Sequence, residues 1–446
     1  MSPRPQFSDR DLIKLILPLF AERLLSMLVG VADTLMVSYV GEAAVSGISL
    51  INQLNNAFIF IFGAVASGGA VIISQYVGKQ SRENSGLAAS QLIMITTLIS
   101  LLAMLFSLIF RKPVLSVLFG KVETDVMYAS NTYLILSALS FPALAVHNAS
   151  AAIFRSTGKT AIVMYIALIM NLINVLGNAA GIFVLHFEVA GVAVSSLVSR
   201  MFAAVVSLIF ILKENDTMRV KIKDIFALNA AMLKRIFLIA VPSGVETGVF
   251  QISKVAVSSI AALFGTMQIA ALAAAQNIWS LGSLFCIAMG YAFTTITGQC
   301  IGANDIESAK YFSKRLIRIT YIGSGLWNIV IIALMPFLLR LYNFSTETKH
   351  LVFILVLMLN ICNTVLCPLD FSLSDGLRAA GDAQYIMITS LLSSVACRIV
   401  FSVLFAIILN MGVIGITLAM IFDRIIKAIL IIVRYKNGKW TKYKIV

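Results

Sequence analysis

The chain has 446 residues, of which 60% are hydrophobic and only 12% charged, and its mean hydropathy is +0.96. Soluble domains carry about 25% charged residues, so the supply here is roughly half what a globular surface needs, which excludes an ordinary soluble enzyme or a string of soluble modules. The net charge of +14 would suit nucleic acid, but it is dealt out loop by loop rather than gathered on one face, and that excludes nucleic acid as a partner.

A membrane-spanning helix takes about 20 apolar residues, and such stretches recur from end to end. The polar start, MSPRPQFSDRDLIK, carries no signal-peptide cleavage pattern, so the first helix is expected to be retained. The apolar runs predict six helices over approximately 11–40, 43–77, 85–110, 126–153, 160–186 and 190–212, making an N-terminal lobe over 1–212. Next comes KENDTMRVKIKDIFALNAAMLKR, the longest polar segment, read as a cytoplasmic linker over 213–235. Six more helices follow over 229–262, 266–299, 311–338, 347–374, 384–410 and 412–435, giving a C-terminal lobe over 236–446 with a basic cytoplasmic tail.

Sorted on this twelve-helix plan, 23 of the 34 Lys and Arg fall in loops on the side of the termini, five on the other side and six inside helices. Positively charged loops stay in the cytoplasm, so both termini are expected there, in a bacterial inner membrane. The five cysteines lie within apolar runs without metal or disulfide spacing and read as packing residues.

The two halves repeat. An offset of 224 residues sets Pro18 on Pro242, Glu22 on Glu246, Gly41 on Gly265, Gln75 on Gln299, Gly191 on Gly415 and Arg200 on Arg424, while Arg155 meets Arg378 at an offset of 223. These are mostly Gly, Pro and charged residues, which apolar composition alone does not generate. Six spans per repeat keep both halves in one orientation, the arrangement of carriers that rock two bundles about a central cavity.

Polar groups inside such spans mark function or a buried partner. Asp33 lies in LVGVADTLMVSYVG, roughly 22 Å along the helix from Pro18 at 1.5 Å per residue. No base stands within four positions of it. A desolvated carboxylate of this kind suits reversible cation or proton binding, against the alternative of a packing hydrogen bond. Asn171, Asn174 and Asn178 follow one face of the fifth helix, and with Asp33 they outline a possible cation site. Pro18 and Pro242 each remove a backbone donor and so are natural bends, Pro18 being the predicted hinge. Glu22 and Glu246, four residues later, either pair structurally or line a substrate cavity, and Glu246 could be bridged to Lys254. Asn52, Gln251, Gln276 and Asp370 are further cavity candidates, whereas Asp375 is expected to pair with Arg378 at a loop. Lys254 and Arg398 are embedded bases expected to neutralise nearby acids.

No phosphate-binding loop, catalytic triad motif or metal-ligand cluster occurs, so ATP hydrolysis within the chain and an embedded enzyme are both disfavoured. Transport would then be driven by an ion gradient or be passive, with no cofactor.

VADTLMVSYVGEAAVSGISL, QYVGKQ with QCIGAN, FRSTGKT with LRAAGDA, EVAGVAVSS and PSGVETGVFQISK, in this order over about residues 10–435, resemble the multidrug and toxic compound extrusion (MATE) family, bacterial branch. The resemblance implies an all-α polytopic membrane protein, with twelve helices in two six-helix pseudo-symmetric lobes forming a V. It also implies export of organic cations against inward H+ or Na+. Carried over, the cation-coupling set is Asp33, Asn174, Asn178 and Ser196, with any Na+ held at Asp33 and Asn174, and with Pro18 bending the first helix. Where some members have a second aspartate this chain has Asn178, and Phe250 stands where others have a helix-seven glutamate. A single coupling site in the N-terminal lobe is therefore expected, with a slight preference for H+, in a monomer. A lipid or polysaccharide-precursor flippase of the same superfamily is the alternative.

Overall fold

The computed structural model describes residues 7–446 apart from 121, 214–216, 341, 343 and 444. Arg4, Lys121, Lys444 and the acidic start of the linker therefore lie outside the described residues.

The described residues are helical with no strand. Among the described residues ten helices are long and apolar enough to cross a membrane, and the pair Thr124–Leu139 and Phe141–Ser156, bent by 47°, makes one more when taken as a single broken span. The last helix, Gly412–Lys436, is equally long but carries Asp423, Arg424 and Lys427. Together these make twelve spans in chain order: Asp9–Ser38, Glu42–Gly78, Arg82–Ile109, the bent pair, Thr160–Val184, Glu188–Leu212, Ala230–Ala262, Leu284–Gly302, Ile306–Ala333, Thr346–Ala379, Ala383–Ile408 and Gly412–Lys436. Only helices satisfy every backbone donor within their own segment, which is why apolar runs of this length adopt nothing else in lipid.

The departures from the expected helices have local causes. The fourth span breaks at Ser140, where Pro142 sits in the first turn of the following helix and has no N–H to continue the ladder. The eighth span is preceded by Thr266–Gly282 and breaks at Ser283. The tenth widens into a π-turn over Pro368–Ser372, again at a proline, and the eleventh does so over Leu392–Cys397 and Val403–Ile408. Pro18 and Pro242 lie inside continuous helices. Proline leaves the carbonyl four residues earlier without its donor, and for Pro18 this is the carbonyl of Lys14. The Thr160 hydroxyl donates to it at 3.2 Å and to the Leu15 carbonyl at 3.0 Å, so the fifth span closes the gap.

The chain divides into two compact units, 7–244 and 245–446, with the boundary inside the seventh span. The sequence repeat reappears inside each. In the first unit Glu22 is ion-paired with Arg155. In the second, Glu246 is ion-paired with Arg378 at 2.5 Å and with Lys427 at 3.2 Å, and accepts from Ser390 at 2.7 Å. The expected bridge from Glu246 to Lys254 does not form, because these three donors already occupy the carboxylate. Arg378 also pairs with Asp375, as expected. Small residues set the helix spacing at matching places. A Cβ on Gly181 would lie 2.8 Å from the Gly191 Cα, and one on Gly415 would lie 2.6 Å from the Phe405 carbonyl carbon.

The segment between the repeats is docked on the third span. The Thr217 carbonyl accepts from Ser85, and the Arg219 N–H donates to the Arg82 carbonyl. Gln91 donates to the carbonyls of Asp224 and Ala227, at 2.7 and 2.6 Å, and accepts from the Asn229 N–H at 2.9 Å. Gly86 permits this approach, since a Cβ there would stand 1.9 Å from the Arg219 carbonyl oxygen.

Two outcomes follow from this packing. Removing one member of a buried ion pair costs about 3–5 kcal/mol, whereas replacing both with apolar groups is close to neutral. Glu22→Gln should therefore lower the thermal midpoint of the purified protein clearly, and Glu22→Leu with Arg155→Met should restore most of it; a double variant less stable than the single one contradicts the pairing. Gly86→Val should destabilise by about 1–3 kcal/mol through overpacking, and the newly cleavable 217–229 segment should appear in limited proteolysis.

Candidate cation-coupling site

Asp33 lies in the first span, half-buried, five residues before its end. Its neighbours come from the fifth span. Asn171, Asn174 and Asn178 are spaced by three and four residues, so all three project from one side of the helix, and all are buried. Asn178 donates through its amide nitrogen to Asp33 Oδ1 at 2.7 Å. A carboxylate only accepts, so the amide of Asn174 must also present its nitrogen to it. It then donates to Asp33 Oδ1 at 2.9 Å and Oδ2 at 3.1 Å, and its oxygen accepts from Ser196 Oγ at 3.2 Å. The close approach at Gly181 and Gly191 is what brings the sixth span, and with it Ser196, beside Asn174.

The four residues singled out from the sequence thus meet in one hydrogen-bonded nest within the first unit. Among the described residues Asp33 makes no ion pair, and Asn178 Oδ1 is buried without a hydrogen-bond partner. The nest offers a carboxylate and one spare amide oxygen, which fits a proton or a small hard cation. No group of three or more His, Cys, Asp or Glu that would hold a resident metal occurs among the described residues.

Sequence reading missed one participant. Arg200, from the sixth span, donates to Ser140 Oγ at 2.6 Å and lies within electrostatic range of Asp33 and Tyr133. Its match to Arg424 in the repeat was a signal, but a place in a repeat does not reveal which carboxylate a cation faces.

The remaining candidates fall elsewhere. Asn52 is exposed and accepts from the Tyr133 hydroxyl at 3.2 Å. Glu22 is held by Arg155 and Glu246 by Arg378 and Lys427, so both glutamates stand in internal ion pairs. Asp370, in the second unit, is buried and receives Arg424 at 2.6 Å. Gln251 and Gln276, also in the second unit, are half-buried with no hydrogen-bond partner among the described residues. Lys254 is exposed and unpaired among the described residues, while Arg398 pairs with Asp423.

Known proteins resemble this chain in sequence and in fold. The chain is 26% identical over 444 residues to the uncharacterized transporter YisQ of Bacillus subtilis, covering 98% of this chain and 96% of that one. It is 25% identical to the probable multidrug resistance protein NorM of Thermotoga maritima, covering 97% and 93%. Its fold matches a solved structure described as the outward-facing conformation of a multidrug resistance MATE family transporter of the MOP superfamily, with a TM-score of 0.87, 19% identity and coverage of 99% and 98%. A family model described as MatE matches residues 18–180 and 242–404, one stretch in each half. The chain belongs to the MatE family, as a multi-pass helical membrane protein.

Proposed function

We propose that this protein is a secondary active multidrug efflux antiporter that exports organic cations in exchange for inward H+ or Na+ by alternating access. Its place is the bacterial cytoplasmic membrane, with both termini in the cytoplasm. The observation that carries the reading is Asp33, a carboxylate inside a span with no ion-pair partner among the described residues, held by two amides and reachable from outside the unit. A relative over nearly its whole length is called a probable multidrug resistance protein, which supports small-molecule cargo.

The amides make the site work in two charge states. With Asp33 ionised, Asn174 and Asn178 donate to it. With Asp33 protonated, turning the Asn178 amide over would present its Oδ1, which has no other partner, to the new hydroxyl. Na+ would need several oxygen ligands, yet two of the groups facing the carboxylate present nitrogen, and this favours H+ as the coupling ion. Occupancy removes the negative charge that attracts a cationic substrate, so ion and substrate compete for one carboxylate. Binding biases the two access states only through such a difference in affinity. Pro18 is the place for the first span to bend between them, because its helix lacks one backbone bond there, and Thr160 is the group that must let go.

Asp33→Asn should abolish gradient-driven efflux of a fluorescent cation such as ethidium from proteoliposomes, with the protein still monodisperse. Normal efflux by that variant removes the coupling role. Imposing a pH gradient and a Na+ gradient separately identifies the ion, and transport under neither turns the reading towards a flippase of lipid-linked precursors. Ser196→Ala should shift the coupling-ion dependence of transport by about fivefold, the scale of one hydrogen bond of about 1 kcal/mol, without abolishing it.

A further inference from the structure

The second unit holds a cation that nothing in the coupling scheme uses. Apart from the loop pair of Asp382 with Arg434 and the acids at helix starts (Asp305, Glu307 and Glu347), its spans carry four acids, and each is taken: Glu246 by Arg378 and Lys427, Asp375 by Arg378, Asp370 by Arg424, and Asp423 by Arg398. None of these four acids pairs with Lys254. Among the described residues it has no ion pair and no hydrogen bond, and it is exposed. An unmatched charge inside a span is costly and by default marks a ligand site.

Its setting says which face it belongs to. At about 100° per residue, Thr247, Gln251, Lys254 and Ser258 fall within about 60° of one another on the seventh span. Val241, Val245 and Ile252, which are 56%, 40% and 65% exposed, lie on the opposite side. The helix therefore has an apolar exposed stripe suited to lipid and, on the other side, a polar stripe in which Thr247 and Gln251 are half-buried and Lys254 and Ser258 are exposed. One turn before it is Phe250, over whose ring the Arg398 guanidinium sits at 5.1 Å. Arg398 is fixed by Asp423 through Nε alone, so among the described residues its two amino nitrogens have no acceptor. Lys254 and Arg398 are close enough to interact electrostatically, so the cluster of two bases and one acid carries a net charge of about +1.

We propose that Lys254, the free edge of Arg398 and the Phe250 ring form a subsite in the second unit for the carboxylate or sulfonate of an aromatic organic anion. The protein thereby accepts cargo bearing an anionic group as well as simple cations. An ammonium and an unsatisfied guanidinium fork supply the donors that a carboxylate needs, and the phenyl face supplies the surface for an aromatic ring. The proposal extends the transport reading and is tested apart from it.

The test uses a rhodamine free acid and its ethyl ester, which share one fluorophore and differ in the carboxylate. Binding to the full chain in phosphatidylcholine nanodiscs is read by anisotropy, with no gradient present. Lys254→Gln should weaken binding of the free acid by roughly tenfold or more, the scale of one charge-assisted hydrogen bond, and leave the ester within about twofold. Lys254→Arg should keep the free acid bound, and Lys254→Glu should weaken the acid and strengthen the ester. An equal change for both dyes, or none for either, overturns the subsite. So does competition by added phosphatidylglycerol that disappears in Lys254→Gln, because the lysine would then hold a lipid headgroup. A wild-type protein that binds neither dye counts against the transport reading itself, and Asp33→Asn, which leaves this cluster intact, separates the two failures.

Discussion

A charge inside a bilayer has no water to lean on, so it must find an opposite charge or a ring of hydrogen bonds within the protein. That requirement organises the two units. Glu22 with Arg155 and Glu246 with Arg378 are the same solution made twice, at the positions the repeat brings into register. The second unit adds Asp370 with Arg424 and Asp423 with Arg398, both buried. These pairs are costly to break singly, which ties neighbouring spans to a fixed register without needing an apolar driving force that lipid does not provide.

Against that background two groups stand apart. Asp33 is matched by amides rather than by a contacting base, so its charge is removable by a proton or a small cation. Lys254 is matched by nothing among the described residues and points along a polar stripe. Asp33 in the first unit and Lys254 in the second thus have no ion pair among the described residues, one negative and the other positive. The surrounding pairs are what make these two distinguishable, because an unmatched charge means little where many charges are unmatched.

Backbone geometry makes the nest at Asp33 possible. Gly181 and Gly191 let the fifth and sixth spans approach until a single methyl would not fit between them, and this brings Ser196 to the amide of Asn174. Thr160 serves the same end at the other terminus of the fifth span, closing the gap that Pro18 leaves in the first. The first span is therefore held by the fifth at two levels, near Lys14 through a hydroxyl and at Asp33 through amides.

Much of this was legible in the sequence. Helix number, order and approximate ends follow from apolar length, because a bilayer accepts little else. The repeat shows in Gly, Pro and charged residues that composition does not supply, and Asp33 with Asn174 and Asn178 stands out because polar side chains within spans are rare and their helical spacing is readable. What the sequence left open were the partners. Whether Glu246 meets Lys254, on its own helix, or Arg378, 132 residues away, depends on which helices touch, and so does the placing of Arg200 near Asp33. Periodicity along one helix determines which face a residue occupies. Only the packing of several helices decides what that face meets, since an ion pair forms between side chains that are close in space whatever their distance along the chain.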